Sequence, residues 1–462
     1  MVTTTSASRS SRTRTASSRP FAASRSSFPE VRVKQAKPLV IAMAGMGTVG
    51  SGVARLLEEN AESIAKRAGR PVTLKTVVIR SPKERVGAAK DAEFTNDLLA
   101  PANDPEVDVV LELIGGTTAA RELITKALEN GKHVVTANKA LLAEYGHELF
   151  PLARSKSCHL GFEASVAGGI PILQSIKETL AANELFSVMG ILNGTANFIL
   201  TQMSQDGMPF DKALALAQEK GYAEADPTLD IEGIDAAHKL VLLIQLAFGA
   251  NYPLDKLRVW GISRVTPMDI AFARQMGYGI KLLGTARKVN GKVTAGVYPA
   301  LVPAHYLLAK VEGSYNAVRL EGNAGPVMLY GYGAGDLPTA SAVLADVIAV
   351  ARGCEPNNLG FADMPFPPDA DILDLDEAVS EHFLRFLVPD KPGVLRDIAG
   401  VLAAHDISIA QVIQKEKSEV TGSAVPLVLQ THDAPAREIH AAMREVEKLD
   451  ITLDRTMHYR IL

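Results

Sequence analysis

The stretch EADPTLDIEGIDAAHKL, residues 224–240, sets Glu224, Asp226, Asp230, Glu232 and Asp235 ahead of a lysine, Lys239, and runs straight into the apolar LVLLIQLAFG. With a helix beginning near Ile231, Asp235 and Lys239 stand at i and i+4 on one face, acid before base. On an exposed helix this is an ordinary ion pair of small worth. Here the helix that follows is apolar almost all the way round, so the ammonium emerges from a buried element. Burial makes an unpaired charge costly and lowers a lysine's pKa, which suits proton transfer near neutral pH. Structural ion-pair networks share the pattern, so both readings stand at this point. Lys139, at the end of the strand-like HVVTAN, is a second candidate: an ammonium placed near Lys239 lowers the pKa of both. His238 points about 100° away from Lys239 on an ideal helix. His133, His159 and the other histidines show no metal-ligand spacing.

Such groups need a scaffold, and 462 residues imply two or three domains. A formal charge of −4 and 22% charged residues give no electrostatic case for nucleic acid or an anionic membrane. The apolar runs fall well short of a bilayer span of about 20 residues, so no transmembrane helix is expected. Two cysteines, Cys158 and Cys354, form neither a disulfide framework nor a metal cluster and fit a reducing compartment. Residues 1–29 carry five arginines, many Ser and Thr and no acid. That composition reads either as an organelle transit peptide, with a plastid or other organelle as destination, or as a disordered bacterial leader or an incorrectly assigned start on a cytoplasmic protein.

The first folded segment opens with an apolar run over 39–44, then Gly45, Gly47 and Gly50 in the spacing GxGxxG, then an amphipathic run through Val53, Leu56 and Leu57. Strand, tight turn and helix in that order, with a second strand LKTVVIR about 30 residues on, is the dinucleotide-binding arrangement. The glycines allow the turn, the approach of pyrophosphate and helix–strand packing, with the phosphates at the helix N-terminus. The second strand ends in Arg80 rather than an acid. This favours NADP, whose 2′-phosphate an arginine suits, over NAD, although a solvated strand end explains Arg80 equally. VDVVLELIGGTT and GKHVVTANKALL read as further strands with a helix between, so Gly115–Thr117 and Asn138–Lys139 fall at strand carboxyl ends, where ligands sit.

From about 160 to 340 long helices (GIPILQSIKETLAA, FDKALALAQEKG, GIDAAHKLVLLIQLAFG) mix with alternating strands, which indicates an α+β domain. A last helix, PTASAVLADVIAVARG, is expected to pack back on the first domain. GFEASVAGGIPI couples Glu163 to a glycine-bearing turn that could hold a monovalent cation or simply start a helix at Pro171. In GILNGTANFIL, Asn193, Thr195 and Asn197 read either as a polar pocket wall or as turn chemistry. Residues 354–378, rich in Pro, Asp and Asn, read as a linker. The tail opens with a strand, a PDKPG turn, a helix from near Val394 and a second strand, and carries no paired catalytic groups. A binding or regulatory module is the economical reading.

AGMGTVGSGV, TANKALLA, FEASVAGGIPI, GILNGTANFIL, GYAEADPTLDIEGIDAAHKL and GYGAGDLPTASAV occur here in the order seen in homoserine dehydrogenase. The resemblance covers about residues 38–352, and the tail from 380 resembles an ACT domain. It implies an α/β fold: a disordered leader (1–37), a Rossmann-type NAD(P)-binding domain (38–160), an α+β catalytic and dimerisation domain (161–353), a linker (354–379) and a βαββαβ ACT domain (380–462). It further implies reversible reduction of L-aspartate 4-semialdehyde to L-homoserine with NADP, NAD being the alternative, in threonine, methionine and isoleucine biosynthesis. Roles carry over by position. Lys239 is the proton donor and Lys139 stands beside it, while Glu224 and Asp235 bind substrate and Asp230 supports the pocket. Gly45, Gly47, Thr48, Val49, Gly50, Arg80, Gly116, Thr117, Lys139 and Gly335 meet the cofactor. Glu163 with the carbonyls of Val166, Gly168 and Ile170 resembles the family's monovalent cation site (Na or K).

The resemblance also implies an amino-acid effector at the ACT domain, with threonine as the family's guess, and a homo-oligomer, a dimer or larger. No aspartokinase-like segment precedes the nucleotide domain, so a monofunctional enzyme is expected. Departures are Met46 after the first glycine, NGTANF, and GGTTAA without the proline often found there. A thioester-forming aldehyde dehydrogenase lacks its thiolate here, and prephenate dehydrogenase lacks the paired lysines and acid cluster. A nonenzymatic NADP-linked amino-acid sensor is the reading from a different class.

Overall fold

The computed structural model describes residues 37–414 and 424–462. The leader expected ahead of residue 37 lies outside the described residues. The first layer runs β1 (Leu39–Ala44), α1 (Thr48–Glu59), α2 (Ala61–Ala68), β2 (Val72–Val78), β3 (Glu93–Thr95), α3 (Ala100–Asn103), β4 (Val109–Glu112), α4 (Thr118–Glu129), β5 (His133–Thr136), α5 (Lys139–Ser155) and β6 (Leu160–Gly161). Its six strands pair in parallel in the order β3-β2-β1-β4-β5-β6. β1 and β4 are buried on both faces, and apolar but for Glu112 at the end of β4, because helices cover both, as a parallel sheet requires. Strand order reverses between β1 and β4, and the crevice beyond their carboxyl ends is where such sheets bind ligands. β2 stops at Val78, so Arg80 stands two residues past the strand and is exposed.

The second layer runs α6 (Ile172–Gln174), β7 (Leu185–Ile191), α7 (Gly194–Asp206), α8 (Phe210–Glu219), α9 (Thr228–Ile231), α10 (Ile234–Phe248), β8 (Arg258–Val259), α11 (Pro267–Gln275), β9 (Tyr278–Val289), β10 (Lys292–Pro303), β11 (Tyr315–Gly322), β12 (Gly325–Tyr332) and α12 (Asp336–Ala351). The long helix expected from GIPILQSIKETLAA is a single α turn that passes into a π turn over Ser175–Thr179. α10 begins at Ile234, not near Ile231, because Gly233 (φ +81°) breaks the chain after α9, packed under Val259 and Val297. Leu240, Val241, Leu242, Leu243 and Ile244 are all buried in α10. At about 1.5–3 kcal/mol for each such side chain, this burial fixes the helix and the lysine one turn inside it. α12 lies on α1: Ala340, Val343 and Val347 share a core with Val53 and Ala54. Gly52 is required there, since a Cβ would stand 2.7 Å from the Asp336 carbonyl oxygen.

The third layer runs β13 (Val379–Ser380), β14 (His382–Pro389), α13 (Val394–Ala404), β15 (Ile409–Gln414), β16 (Ala424–Thr431), β17 (Ala434–Pro435), α14 (Ala436–Val446) and β18 (Met457–Ile461). Setting aside the short β13–β17 pair, this is a βαββαβ unit around Leu384, Phe386, Ile398, Leu429 and Ile439. Its sheet is not separate. β18 pairs in parallel with β10 through Ala300–Arg460 and Leu301–Ile461, so one ten-stranded sheet runs from β12 to β15. A buried ion pair, Arg385 Nε to Asp269 Oδ1 at 2.6 Å, fastens β14 to α11. Among the described residues no helix is long and apolar enough to cross a membrane.

Candidate active site

Asp235, in the first turn of α10, is the centre of the cluster. One carboxylate oxygen meets Lys139 Nζ at 3.0 Å and the other meets Lys239 Nζ at 2.6 Å. Lys139 is the first residue of α5 in the nucleotide layer, whereas Asp235 and Lys239 belong to the second layer, so one carboxylate bridges the cleft between them. The i, i+4 spacing therefore makes a buried bridge rather than a surface pair.

Lys239 is 8% exposed and donates to Asp235 and, at 2.6 Å, to the Leu192 carbonyl. An ammonium has three donors. Two are spent on fixing its position, and one is left for an incoming oxygen. Burial lowers the Lys239 pKa, Asp235 opposes that, and Lys139 adds to it. Lys139 behaves otherwise: the Asp235 charge outweighs burial and raises its pKa. The expectation that the two ammonium groups lower each other's pKa thus holds for Lys239 and fails for Lys139, because a carboxylate stands between them. Burial acts to raise the Asp235 pKa, but Lys239 and Lys139 together hold its carboxyl well below the usual range.

Asn193, at the N-cap of α7, completes the cluster. Its Oδ1 accepts the Ala196 N–H at 2.8 Å, while its Nδ2 donates to Asp230 Oδ1 at 2.7 Å and Asp235 Oδ2 at 2.9 Å. Both readings of that motif are therefore realised in one residue. Burial raises the Asp230 pKa, offset by Asn193, with Asp235 adding to the rise. Glu224 is exposed on the loop before α9, and among the described residues only its carbonyl is engaged, by Gln218. Asn316, which the sequence patterns do not single out, donates at 2.9 Å to the same Leu192 carbonyl that holds Lys239. It lies under the glycine-rich loop before α12, where a Cβ on Gly333 would stand 2.0 Å from its amide carbon.

The nucleotide layer supplies a matching crevice. Gly45 adopts φ +107° and leaves no room for a Cβ beside the Leu113 carbonyl; Gly50 packs on the Gly45 carbonyl. Gly47 has nothing within 4 Å of a built Cβ, and no side chain caps α1. These residues therefore fit a pyrophosphate at the free N–H groups of the helix. Thr48 and Val49 open α1, and Gly116, Thr117 and Gly335 stand on loops ahead of α4 and α12. Arg80 makes no ion pair among the described residues. Buried Glu112 ties this crevice to the lysines: it accepts from the backbone N–H of Ile114 and Gly115, both at 3.0 Å, and from Thr136 Oγ1 at 2.6 Å. Thr136 accepts the Asn138 N–H, and Asn138 donates to the Gly116 carbonyl at 2.7 Å.

Glu163 lies apart from the lysine cluster, 3% exposed, its carboxylate accepting the N–H groups of Leu173 and Gln174 at 2.9 and 2.7 Å. Burial, and then the charge of Asp346, push its pKa up to about 7. Among the described residues no three His, Cys, Asp or Glu side chains group as a metal site.

Three family profiles match in chain order: "Homoserine dehydrogenase, NAD binding domain" over 45–163, "Homoserine dehydrogenase" over 171–348 and "ACT domain" over 382–450. The chain is 45% identical to a homoserine dehydrogenase of Pseudomonas aeruginosa over 421 residues, covering 90% of this chain and 96% of that one. It is 44% identical to that of Neisseria gonorrhoeae over 420 residues, covering 90% and 96%. A crystal structure of a homoserine dehydrogenase from Thiobacillus denitrificans superposes with a TM-score of 0.87 at 42% identity, covering 92% of this chain and 98% of that one. A hyperthermophilic archaeal homoserine dehydrogenase in complex with NADPH superposes with a TM-score of 0.58 at 27% identity, covering 70% and 100%.

Proposed function

The chain belongs to the homoserine dehydrogenase family, and from that premise we propose that it interconverts L-aspartate 4-semialdehyde and L-homoserine with a nicotinamide cofactor. The observation that carries the proposal is the Lys139–Asp235–Lys239 bridge, set across the cleft beside the nucleotide crevice. Bound in that crevice, the reduced nicotinamide supplies the hydride that the aldehyde carbon takes up. Lys239, with one N–H uncommitted, donates a proton to the resulting alkoxide oxygen, and in the oxidation direction takes the hydroxyl proton. Its depressed pKa suits both tasks. Lys139 keeps its proton and stabilises the developing negative oxygen. Asp235 holds both ammonium groups, Asp230 and Asn193 hold Asp235, and exposed Glu224 is free to meet the substrate's own ammonium group.

NADP is the cofactor this reading favours. Arg80 stands exposed past β2, without an ion-pair partner among the described residues, where a 2′-phosphate would reach, and a structural relative holds NADPH. Gly45, Gly47, Thr48, Val49, Gly50, Gly116, Thr117, Lys139 and Gly335 line the remaining contacts. Glu163 with the carbonyls of Val166, Gly168 and Ile170 is proposed to hold a Na or K ion. The support is chemical: Glu163 and Asp346 are both buried carboxylates, burial and then the Asp346 charge raise the Glu163 pKa, and burial raises that of Asp346. The outer face of the second sheet, with a cavity of about 980 Å³ and exposed Tyr330 and Tyr332 on edge strand β12, supports association with a second copy. The ACT module is proposed to take an amino-acid effector, threonine first, in keeping with a step in threonine, methionine and isoleucine synthesis. A sensor without catalysis would leave buried Lys239 and half-buried Lys139, bridged through Asp235, without a task. Homoserine-dependent reduction of NADP and of NAD by the purified protein, with and without threonine, tests the proposal. No reduction of either cofactor would refute it.

A further inference from the structure

The second and third layers meet at a cavity of about 290 Å³, apart from the cluster described above. Its walls are the Trp260–Arg264 segment between β8 and α11, one side of α14, and the residues leading into β18. Each wall contributes a guanidinium, Arg264, Arg444 and Arg455, and none of these side chains has an ion-pair or hydrogen-bond partner among the described residues. A fourth, Arg460, is 6% exposed and gives one N–H to the Leu375 carbonyl at 2.8 Å. Against these four arginines the lining holds one carboxylate, Glu447. Thr456 is 3% exposed, and its hydroxyl has no partner among the described residues, although its N–H is taken by Glu447 at 3.0 Å. Like charges gathered in a concave seam repel one another, and guanidinium forks match carboxylate and phosphate oxygens.

The same wall backs the catalytic segment. Ile262 donates its N–H to the Ile231 carbonyl at 2.7 Å, and a Cβ on Gly261 would stand 2.3 Å from that oxygen. Ile231 follows Asp230 directly and stands four residues before Asp235. We propose that this cavity is a binding site for a small anion bearing two or more carboxylate or phosphate groups, and that occupancy is transmitted through Trp260–Ile262 to the segment carrying Asp230 and Asp235. The second half rests on the function proposed above; the first does not.

Trp260 is the chain's single tryptophan and lines the cavity, so its emission reports on the site. Titration of the full chain with citrate, and separately with pyrophosphate, is expected to give a saturable change with one of them, which decides between carboxylate and phosphate. In an Arg264→Ala/Arg455→Ala variant Kd is expected to rise at least about tenfold, as the loss of charge-assisted hydrogen bonds requires, with an unchanged circular dichroism spectrum. No saturable change with either anion, or equal affinity in the variant, overturns the site. Saturating anion is also expected to shift the KM for homoserine at least about fivefold in the parent protein only, the lower end of typical coupling between sites. An unmoved KM alongside the emission change overturns the link. A protein inert toward homoserine that still shows the titration refutes the proposed function and leaves the site standing.

Discussion

Asp235→Asn removes the one negative charge shared by two ammonium groups and keeps the side chain's shape. The substitution abolishes the ion pairs at 3.0 and 2.6 Å in a site where Asp235 is only 12% exposed. Breaking a buried pair from one side costs about 3–5 kcal/mol, because the remaining charge is left unpaired. Asp235 is the main group opposing the burial and the Lys139 charge that depress the Lys239 pKa, so without its carboxylate that pKa falls further. The sign follows from the role. Oxidation of homoserine needs Lys239 neutral, so its rate rises with pH through the lysine's pKa; reduction needs it protonated and falls over the same interval. Both limbs of kcat against pH should move to lower pH in the variant, while Asp235→Glu, which keeps the charge, should hold them closer to the parent. The assay is kcat against pH in both directions, with thermal unfolding alongside. Limbs that stay in place, with an unchanged Tm, would refute the reasoning.

Arg80→Ala should raise the KM for NADP about tenfold or more and leave that for NAD within about twofold, since only the 2′-phosphate loses a charge-assisted hydrogen bond; equal effects on both would assign Arg80 to the solvated surface. Glu163 has a folded pKa raised from 4.5 to about 7, so the folded chain binds the extra proton and stability from this group is full below about 4.5 and lost as pH rises through about 7. Glu163→Gln should flatten that slope, worth on the order of 3 kcal/mol, and denaturant unfolding at pH 5 and 8 reads it. Arg385→Ala leaves Asp269 buried against α11 without its cation and should destabilise the junction of β14 and α11 by about 3 kcal/mol, seen as earlier proteolysis of the third layer with Kd for the cofactor unchanged.

The sequence carried these elements unevenly. β1, the GxGxxG turn and α1 were legible because glycine spacing and apolar runs are local signals; so was the Asp235–Lys239 pair, whose geometry a helix dictates even with its start misplaced by three residues. The bridge to Lys139 was legible only as two ends, since a contact across a domain cleft leaves no periodic trace. The same reason hid the continuity of β10 with β18, strands far apart in the chain. Asn316 gave no signal at all, being one amide in an alternating strand. The direction of the Lys139 pKa was misjudged by pairing like charges without the carboxylate between them. The helix expected at 169–182 was cut short where its chain passes into a π turn, a backbone detail that apolar periodicity does not encode.

Lys239 is the group proposed to move the proton. Rapid mixing of enzyme and NADP with saturating homoserine, followed through formation of the reduced nicotinamide in a single turnover, isolates that step. In Lys239→Ala the rate constant should fall by about 10²–10⁴ while NADP binds with the parent's Kd. A variant that turns over within a few-fold of the parent would contradict the central claim.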